Sequence, residues 1–385
     1  MILDKLATSH KEKMRIAYIW LNHLTTFRTC DLKNLYKLFG DPVGVVENIY
    51  ESEEIRNSLI ESKVIKDSTG EEIRNQNIEE WYENHEKTCI YKNIKYTTPI
   101  DEDYPIRLTE LKDMPIALYY KGSLDITMEP HTLGVVGSRR PTFYGVMETE
   151  EFVSELTSRG IVIVSGMAYG IDSKAHRAAI DSGGKTIAVL GGGVDICYPQ
   201  VNIDLYQEIS ENHLLISEYE PGTAHVSKNF PMRNRIISGL SDGLLLVEAA
   251  LRSGTLITAD YALEQGKSIY GIPGRASDVM SRGVNSIIKQ GAALVDSPSD
   301  IIKDIFNESF LPKRSSRSKK KEKNLAGLSA TEKSIIGILG YEPTFIDDII
   351  RHNHMAIGET IHILDELCKK DLVTTVEKGY YILKG

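Results

Sequence analysis

Lys228, Phe230, Arg233 and Arg235 stand within eight residues of one another in the stretch KNFPMRNR. Cations neutralise phosphates, and a flat ring offers a stacking surface to an unpaired base; together they are the chemistry of single-strand nucleic-acid binding without sequence preference. The plainer alternative packs Phe230 and Pro231 into a core and leaves only the arginines facing out. Asn234, between the two arginines, carries the donor and acceptor to clamp a backbone. Further on, Ser253-Gly254-Thr255 follows an apolar strand and opens a helix. Such a turn can cradle a phosphate or cap the helix, and capping is the better reading.

Three more motifs end apolar runs in small residues. Gly137-Ser138-Arg139-Arg140-Pro141 presents a glycine turn and an arginine to a helix start, which is what phosphate binding requires and makes Arg139 a candidate anion contact. A single glycine there excludes the dinucleotide fingerprint G-x-G-x-x-G. Gly166 and Gly170 bracket a turn that either lets a ligand approach the backbone or is an ordinary strand-to-helix turn capped by Asp172. Gly191-Gly192-Gly193 either removes side chains where something bulky comes close or forms a flexible loop. His176, one turn into its helix, reads as structural.

Catalysis finds no support: there is no Ser-His-Asp spacing and no Walker lysine, and the acids Glu218, Glu220 and Glu248 are scattered. Cys30, Cys89, Cys197 and Cys368 lie far apart, without a C-x-x-C pair or clustered histidines, so buried free thiols are expected and no metal or cofactor. A binding protein rather than an enzyme follows.

These motifs need a scaffold that brings strand ends together. From Leu133 to Val295 the chain alternates continuous apolar runs (LGVVG, IVIVSG, TIAVLG, LLISE, GLLLVE, SIYGIPG, ALV) with amphipathic segments, including helices expected at residues 171–182, 233–240 and 255–265. Apolar strands alternating with helices imply an α/β fold, a doubly wound parallel sheet covered on both faces. Such sheets bind ligands beyond the carboxyl ends of their strands. Residues 1–97 read as a helical domain, with a break at Gly40-Asp41-Pro42, and 98–130 as a proline-rich approach to the sheet. The sheet domain is expected to span 98–312. Residues 313–324 (KRSSRSKKKEKN) read as a basic linker, and 325–385 as three helices and a two-stranded wing, a winged helix, opened by the capping box Ser329-x-x-Glu332.

With 385 residues, 41% hydrophobic and 26% charged, the chain has room for two or three domains. No apolar run approaches the roughly 20 residues that span a bilayer, and no leader pattern opens the chain, so no membrane association and a cytoplasmic location are expected. The net charge is −9, so an anion-binding surface must be a local patch. Residues 1–129 sum to −6 and 325–385 to −3, which argues against DNA binding by the helical domain and against major-groove insertion by the third helix of the wing region.

The motifs GVVGSRRPTFYG, VSGMAYGIDSKAHRAAI, TIAVLGGGVDICYP, ISEYEPG, FPMRNRIISGLSDGLLLVEAALRSGTLITADYALEQGKSIYGIPG and SRGVNSIIKQGA, in this order, resemble the DNA processing protein A family (DprA, or Smf). The resemblance implies a Rossmann-like domain that binds single-stranded DNA in a basic pocket, dimerises, and loads the recombinase RecA onto incoming strands in natural transformation. It implies contact roles for Ser138, Arg139, Gly166, Phe230, Arg233, Asn234 and Arg235; Lys228 joins them by charge and proximity. The segment GRASDVMSRGVN departs from the family pattern in having less glycine and serine. A nucleotide-processing enzyme of the phosphoribohydrolase kind is the competing expectation, from Val247-Glu248 followed by Ser253-Gly254-Thr255, although its P-G-G-x-G-T-x-x-E signature is missing.

Overall fold

The computed structural model describes residues 2–24, 32–306, 328–339, 343–370 and 372–383. They fall into two compact units, residues 1–140 with 149–298 and residues 141–148 with 299–385. Cys30 and the basic segment 313–324 lie outside the described residues.

The first unit opens with helices. Ser9 and Glu12 form a capping box at α1 (His10–His23), and α2 (Leu32–Phe39) follows. The expected break is real: Gly40 turns at φ +91°, Asp41 caps α3 (Pro42–Glu51), and Pro42 sits in its first turn, where no N–H is needed. Helices α4 (Glu53–Glu61), α5 (Asp67–Asn75) and α6 (Ile78–Tyr91) complete the region. Its core is built on Trp20, Leu21 and Ile49. Ile19 and Cys89 also pack with Ala117, Tyr119 and Val194 of the following region. The change of pattern near residue 97 thus falls inside one packed unit.

Nine strands form one sheet: β1 (Lys95–Thr97), β2 (Leu118–Gly122), β3 (Thr132–Val136), β4 (Val162–Ser165), β5 (Thr186–Val189), β6 (Leu214–Ser217), β7 (Gly243–Leu246), β8 (Ser268–Gly271) and β9 (Ala293–Leu294), in the order β1-β2-β6-β5-β4-β3-β7-β8-β9. The pairings from β6 through β9 are parallel, whereas β1 and β2 add antiparallel on one edge. Ile187 and Val189 join one apolar cluster while Ala188 and Leu190 join another, so alternate faces of β5 are both buried.

The helices that follow the strands in sequence are α7 (Phe143–Ser158), whose first turns belong to the second unit, α8 (Ile171–Asp181), α9 (Ile203–Asn212), α10 (Asn229–Gly239), α11 (Gly254–Glu264) and α12 (Arg282–Lys289); α13 (Pro298–Phe306) falls almost wholly in the second unit. Helix α10 supplies Ile236 and Ile237 to one face, and α9 supplies Leu205 and Ile209 to the other. From β3 the chain winds outward through β4, β5 and β6, then returns to the other side of β3 with β7. That reversal opens a crevice beyond the carboxyl ends of β3, β4 and β7.

In the second unit the capping box of Ser329 and Glu332 starts α14 (Ala330–Ile338) as expected. It is followed by β10 (Thr344–Phe345), α15 (Ile346–Asn353), α16 (Ile357–Lys369), β11 (Val373–Glu377) and β12 (Tyr380–Leu383). The sheet is antiparallel in the order β10-β12-β11, so it has a short third strand that the sequence pattern does not announce. Gly379 turns the hairpin at φ +85°.

Candidate nucleic-acid interface

The end of β3 allows only glycine at 137, because a Cβ there would come within 2.6 Å of Ile171 Cγ1. The next residue is buried: Ser138 Oγ accepts the Arg140 N–H at 3.0 Å, and its carbonyl accepts from Ile171 N at 3.1 Å. This tight turn leaves Arg139 and Arg140 exposed at the strand end. At the end of β4, Gly166 is glycine for a different reason. A Cβ would sit 2.5 Å from the Arg233 guanidinium, which fills that space and donates to Gly166 O at 2.7 Å and to Val189 O. Met167 follows in the left-handed region at φ +59°, a strained position for a side-chain-bearing residue. Asp172 does not cap the helix, whose N-cap is Gly170 with no side-chain bond; it stands in the first turn and braces the preceding turn by accepting from Ala168 N at 3.4 Å.

Helix α10 begins at Asn229, four residues before the expected start, so the basic stretch is its first two turns and not a loop. Pro231 fits because it stands in the first turn. Phe230 thereby comes to lie near two guanidiniums, Arg139 at 5.3 Å and Arg233 at 6.0 Å from its ring centroid. Burial lowers the Arg233 guanidinium to about 10, against the opposing pull of Asp172, and it stays cationic at neutral pH. Burial likewise pushes the Asp172 carboxyl up, while Arg233 draws it down.

These groups border a cleft of about 570 Å³. Its lining includes Ser138, Arg139, Arg140, Phe230, Arg233 and Asn234, together with Ser253, Thr255 and Thr258. Ser253 caps α11 and Thr255 Oγ1 donates to Gly137 O at 3.0 Å, so this turn is bound up in structure, as its capping reading expects. The departing segment 274–285 is clamped by Asn285 Nδ2 donating to Gly274 O at 2.9 Å, and it lends Met280 to the cleft.

The structure therefore brings together Ser138, Arg139, Phe230, Arg233 and Asn234 as lining, with Gly166 behind Arg233. It does not bring Arg235 there. That guanidinium is fully buried, grips Glu218 through two bonds of 2.9 and 2.7 Å, and meets the Asp113 carboxylate at 2.9 Å. Burial opposes its charge, but Glu218 and Asp113 outweigh that and raise its pKa. Lys228 is exposed at the helix cap, outside the cleft lining. His176 is buried against Thr186 Oγ1 at 2.7 Å, the structural role expected of it. Glu248 is also buried and does not line the cleft, so the Glu248 and Ser253–Thr255 arrangement of a nucleotide-processing site is not assembled around it.

Sequence reasoning missed two rings. Tyr198 borders the cleft and His225 stacks on it, their centroids 5.3 Å apart. The glycines of 191–193 were the available signal. What comes close to them belongs to the chain itself: Phe230 lies on Gly191 and His225 on Gly192.

Residues 95–306 match the family described as DNA recombination-mediator protein A. The chain is 45% identical over 203 residues to the DNA processing protein DprA of Streptococcus pneumoniae, covering 53% of this chain and 71% of that one. Its structure resembles the X-ray structure of DprA from Streptococcus pneumoniae with a TM-score of 0.63 and 34% identity, over 76% of this chain and 97% of the other. It also resembles DprA from Helicobacter pylori, a structure reported for its single-stranded DNA binding mode, with a TM-score of 0.52 and 31% identity over 56% of this chain and 98% of that one. Among the described residues, no helix is long and apolar enough to cross a membrane.

Proposed function

The chain belongs to the DNA recombination-mediator protein A family, and from that premise we propose that its cleft binds single-stranded DNA and that the protein hands the strand to RecA during natural transformation. The observation that carries the first half is the exposed Arg139 set 5.3 Å from the Phe230 ring at the carboxyl ends of the parallel strands. A cation beside a stacking ring suits an unpaired nucleotide. Ser138 and the backbone around Gly166 would meet phosphate oxygens, Arg139 and Arg233 would supply charge, Asn234 would hydrogen-bond the strand, and Lys228 would attract it from outside the cleft. Arg235 is assigned to holding α10 in place.

Other parts of the reading rest on the family alone. The protein acts as a homodimer in the cytoplasm, with no catalytic step and no cofactor. The C-terminal unit is a winged helix whose third helix, bearing Glu359 and Asp365 on exposed positions, contacts protein in preference to duplex DNA. The test of the central claim is fluorescence anisotropy with single- and double-stranded oligonucleotides of one sequence at physiological salt. Preference for the single strand, lost in Arg139→Glu, is expected; equal affinity for both forms would overturn it. A second series asks whether the protein speeds RecA filament growth on strands already coated by single-strand binding protein.

A further inference from the structure

Three rings from three separate segments meet at the rim of the cleft. Tyr198 follows the glycine run, His225 lies between β6 and α10, and Phe230 stands in the first turn of α10. Their planes are close to parallel: 19° between Tyr198 and His225 at 5.3 Å, 20° between His225 and Phe230 at 6.3 Å, and 30° between Tyr198 and Phe230 at 5.6 Å.

The platform is rigid because its floor is backbone. A Cβ at Gly192 would come 2.8 Å from His225, which leaves no room for a side chain, and one at Gly191 would press on Phe230 at 3.0 Å, so both rings rest closely on glycine backbone. His225 is pinned further, its Nε2–H donating to Ile196 O at 2.9 Å. Burial lowers the His225 pKa, which favours the neutral, stacking form of the imidazole. Tyr198 is the outermost ring: its inner face rests on His225, and it remains 42% exposed at the cleft border. A half-exposed ring already held in place loses little freedom when a base settles on it.

We propose that Tyr198, backed by His225, is a second base-stacking step beside Phe230, so that the cleft receives successive bases of one strand. This deepens the single-strand reading and rests on it. The ligand class is any unpaired nucleobase, since stacking uses the π-face common to all of them.

The test measures affinities of the full chain for homopolymeric oligodeoxynucleotides lengthened one residue at a time, using wild type, Tyr198→Ala, Tyr198→Phe and Phe230→Ala. Wild type is expected to gain affinity at one added nucleotide. The deficit of Tyr198→Ala should widen there by about 5- to 20-fold, the lower part of the range for losing one base–aromatic stack, and Tyr198→Phe should close it. A base-analogue fluorophore at the added position should be quenched by wild type and by Tyr198→Phe only. A Tyr198→Ala deficit that is the same at every length would make the ring a mere support for Phe230 and overturn the proposal, as would no deficit at all. If wild type binds no single strand, or Phe230→Ala binds as wild type does at every length, the underlying reading of the cleft fails instead.

Discussion

Arg233 and Arg235 are two residues apart on one helix and both almost fully buried, yet they belong to opposite regions of the molecule. Two residues of α-helix turn the side chain through about 200°. Arg233 therefore points to the cleft floor, where it holds the carbonyls of Gly166 and Val189 and, among the described residues, has no carboxylate within ion-pair distance, although Asp172 still acts on its charge. Arg235 points the other way and is neutralised by Glu218 and Asp113. One cation is bonded to neutral carbonyls and only partly offset by Asp172; the other is sealed in direct ion pairs with its counter-charges. The same residue type in the same motif thus lines the proposed binding cleft on one side and holds the helix on the other, and what separates them is whether carboxylates pair with the guanidinium directly.

The sharpest way to break this contrast is at the sealed end. Arg235→Met leaves Glu218 buried without its cation, a change that costs about 3–5 kcal/mol. Urea unfolding should show the loss in full, whereas Arg139→Glu, at an exposed position, should stay within about 0.5 kcal/mol of wild type. A wild-type unfolding midpoint for Arg235→Met would show that the pair anchors nothing. Arg235 is for this reason an unsuitable site for testing DNA contact, since weaker binding would report unfolding.

The two arginines also mark where the sequence was legible and where it was not. Parallel strands, the glycine turns after β3 and β4 and the presentation of Arg139 could all be read, because apolar runs and strand-end glycines report local constraints that the chain carries with it. The helix start at Asn229 could not, because Pro231 looks like a loop residue unless it is allowed in a first turn. Arg235 groups with Arg233 in the sequence because both are basic and close together, and the family resemblance gives both a contact role. Its real partner, Glu218, ends a strand seventeen residues earlier and seemed merely scattered. Tyr198 and His225 were invisible for a similar reason: a ring stack assembled from distant segments has no spacing to detect.

His176 is a sealed group that, among the described residues, has no counter-charge beside it, and it sharpens the contrast by pH. Burial lowers its pKa from 6.5 to about 3, so the folded protein resists protonation that the unfolded chain accepts. Its contribution is fully present above pH 6.5 and falls as pH drops toward 3, by about 1.4 kcal/mol for each unit. In His176→Gln that portion of the acid dependence should vanish between those limits. An unfolding profile as steep as wild type would mean that the histidine already titrates in the folded state.

At the cleft end, losses should appear in binding and not in folding. Phe230→Ala removes a stacking surface that contributes about 1–3 kcal/mol per base, whatever the salt. Arg139→Glu should instead weaken binding most at low salt and flatten the log–log salt dependence by at least the roughly 0.7 that one single-strand phosphate contributes. Two variants with the same salt slope would mean that ring and cation do not act separately.

The smallest effect is expected at Lys228, and its size decides how far the cationic surface reaches. Its side chain is exposed, caps nothing, and stands at the head of α10 outside the cleft lining, so Lys228→Ala should change stability by less than about 0.5 kcal/mol. A charge held in water near the entrance still attracts a polyanion, but salt screens it over about 8 Å at physiological ionic strength. Association should therefore slow at low salt and return to the wild-type rate as salt rises, with dissociation unchanged. Stopped-flow measurement of both rates separates this from direct contact. A faster dissociation that persists at physiological salt would place a phosphate on Lys228 itself and extend the strand's path from the cleft over the start of α10.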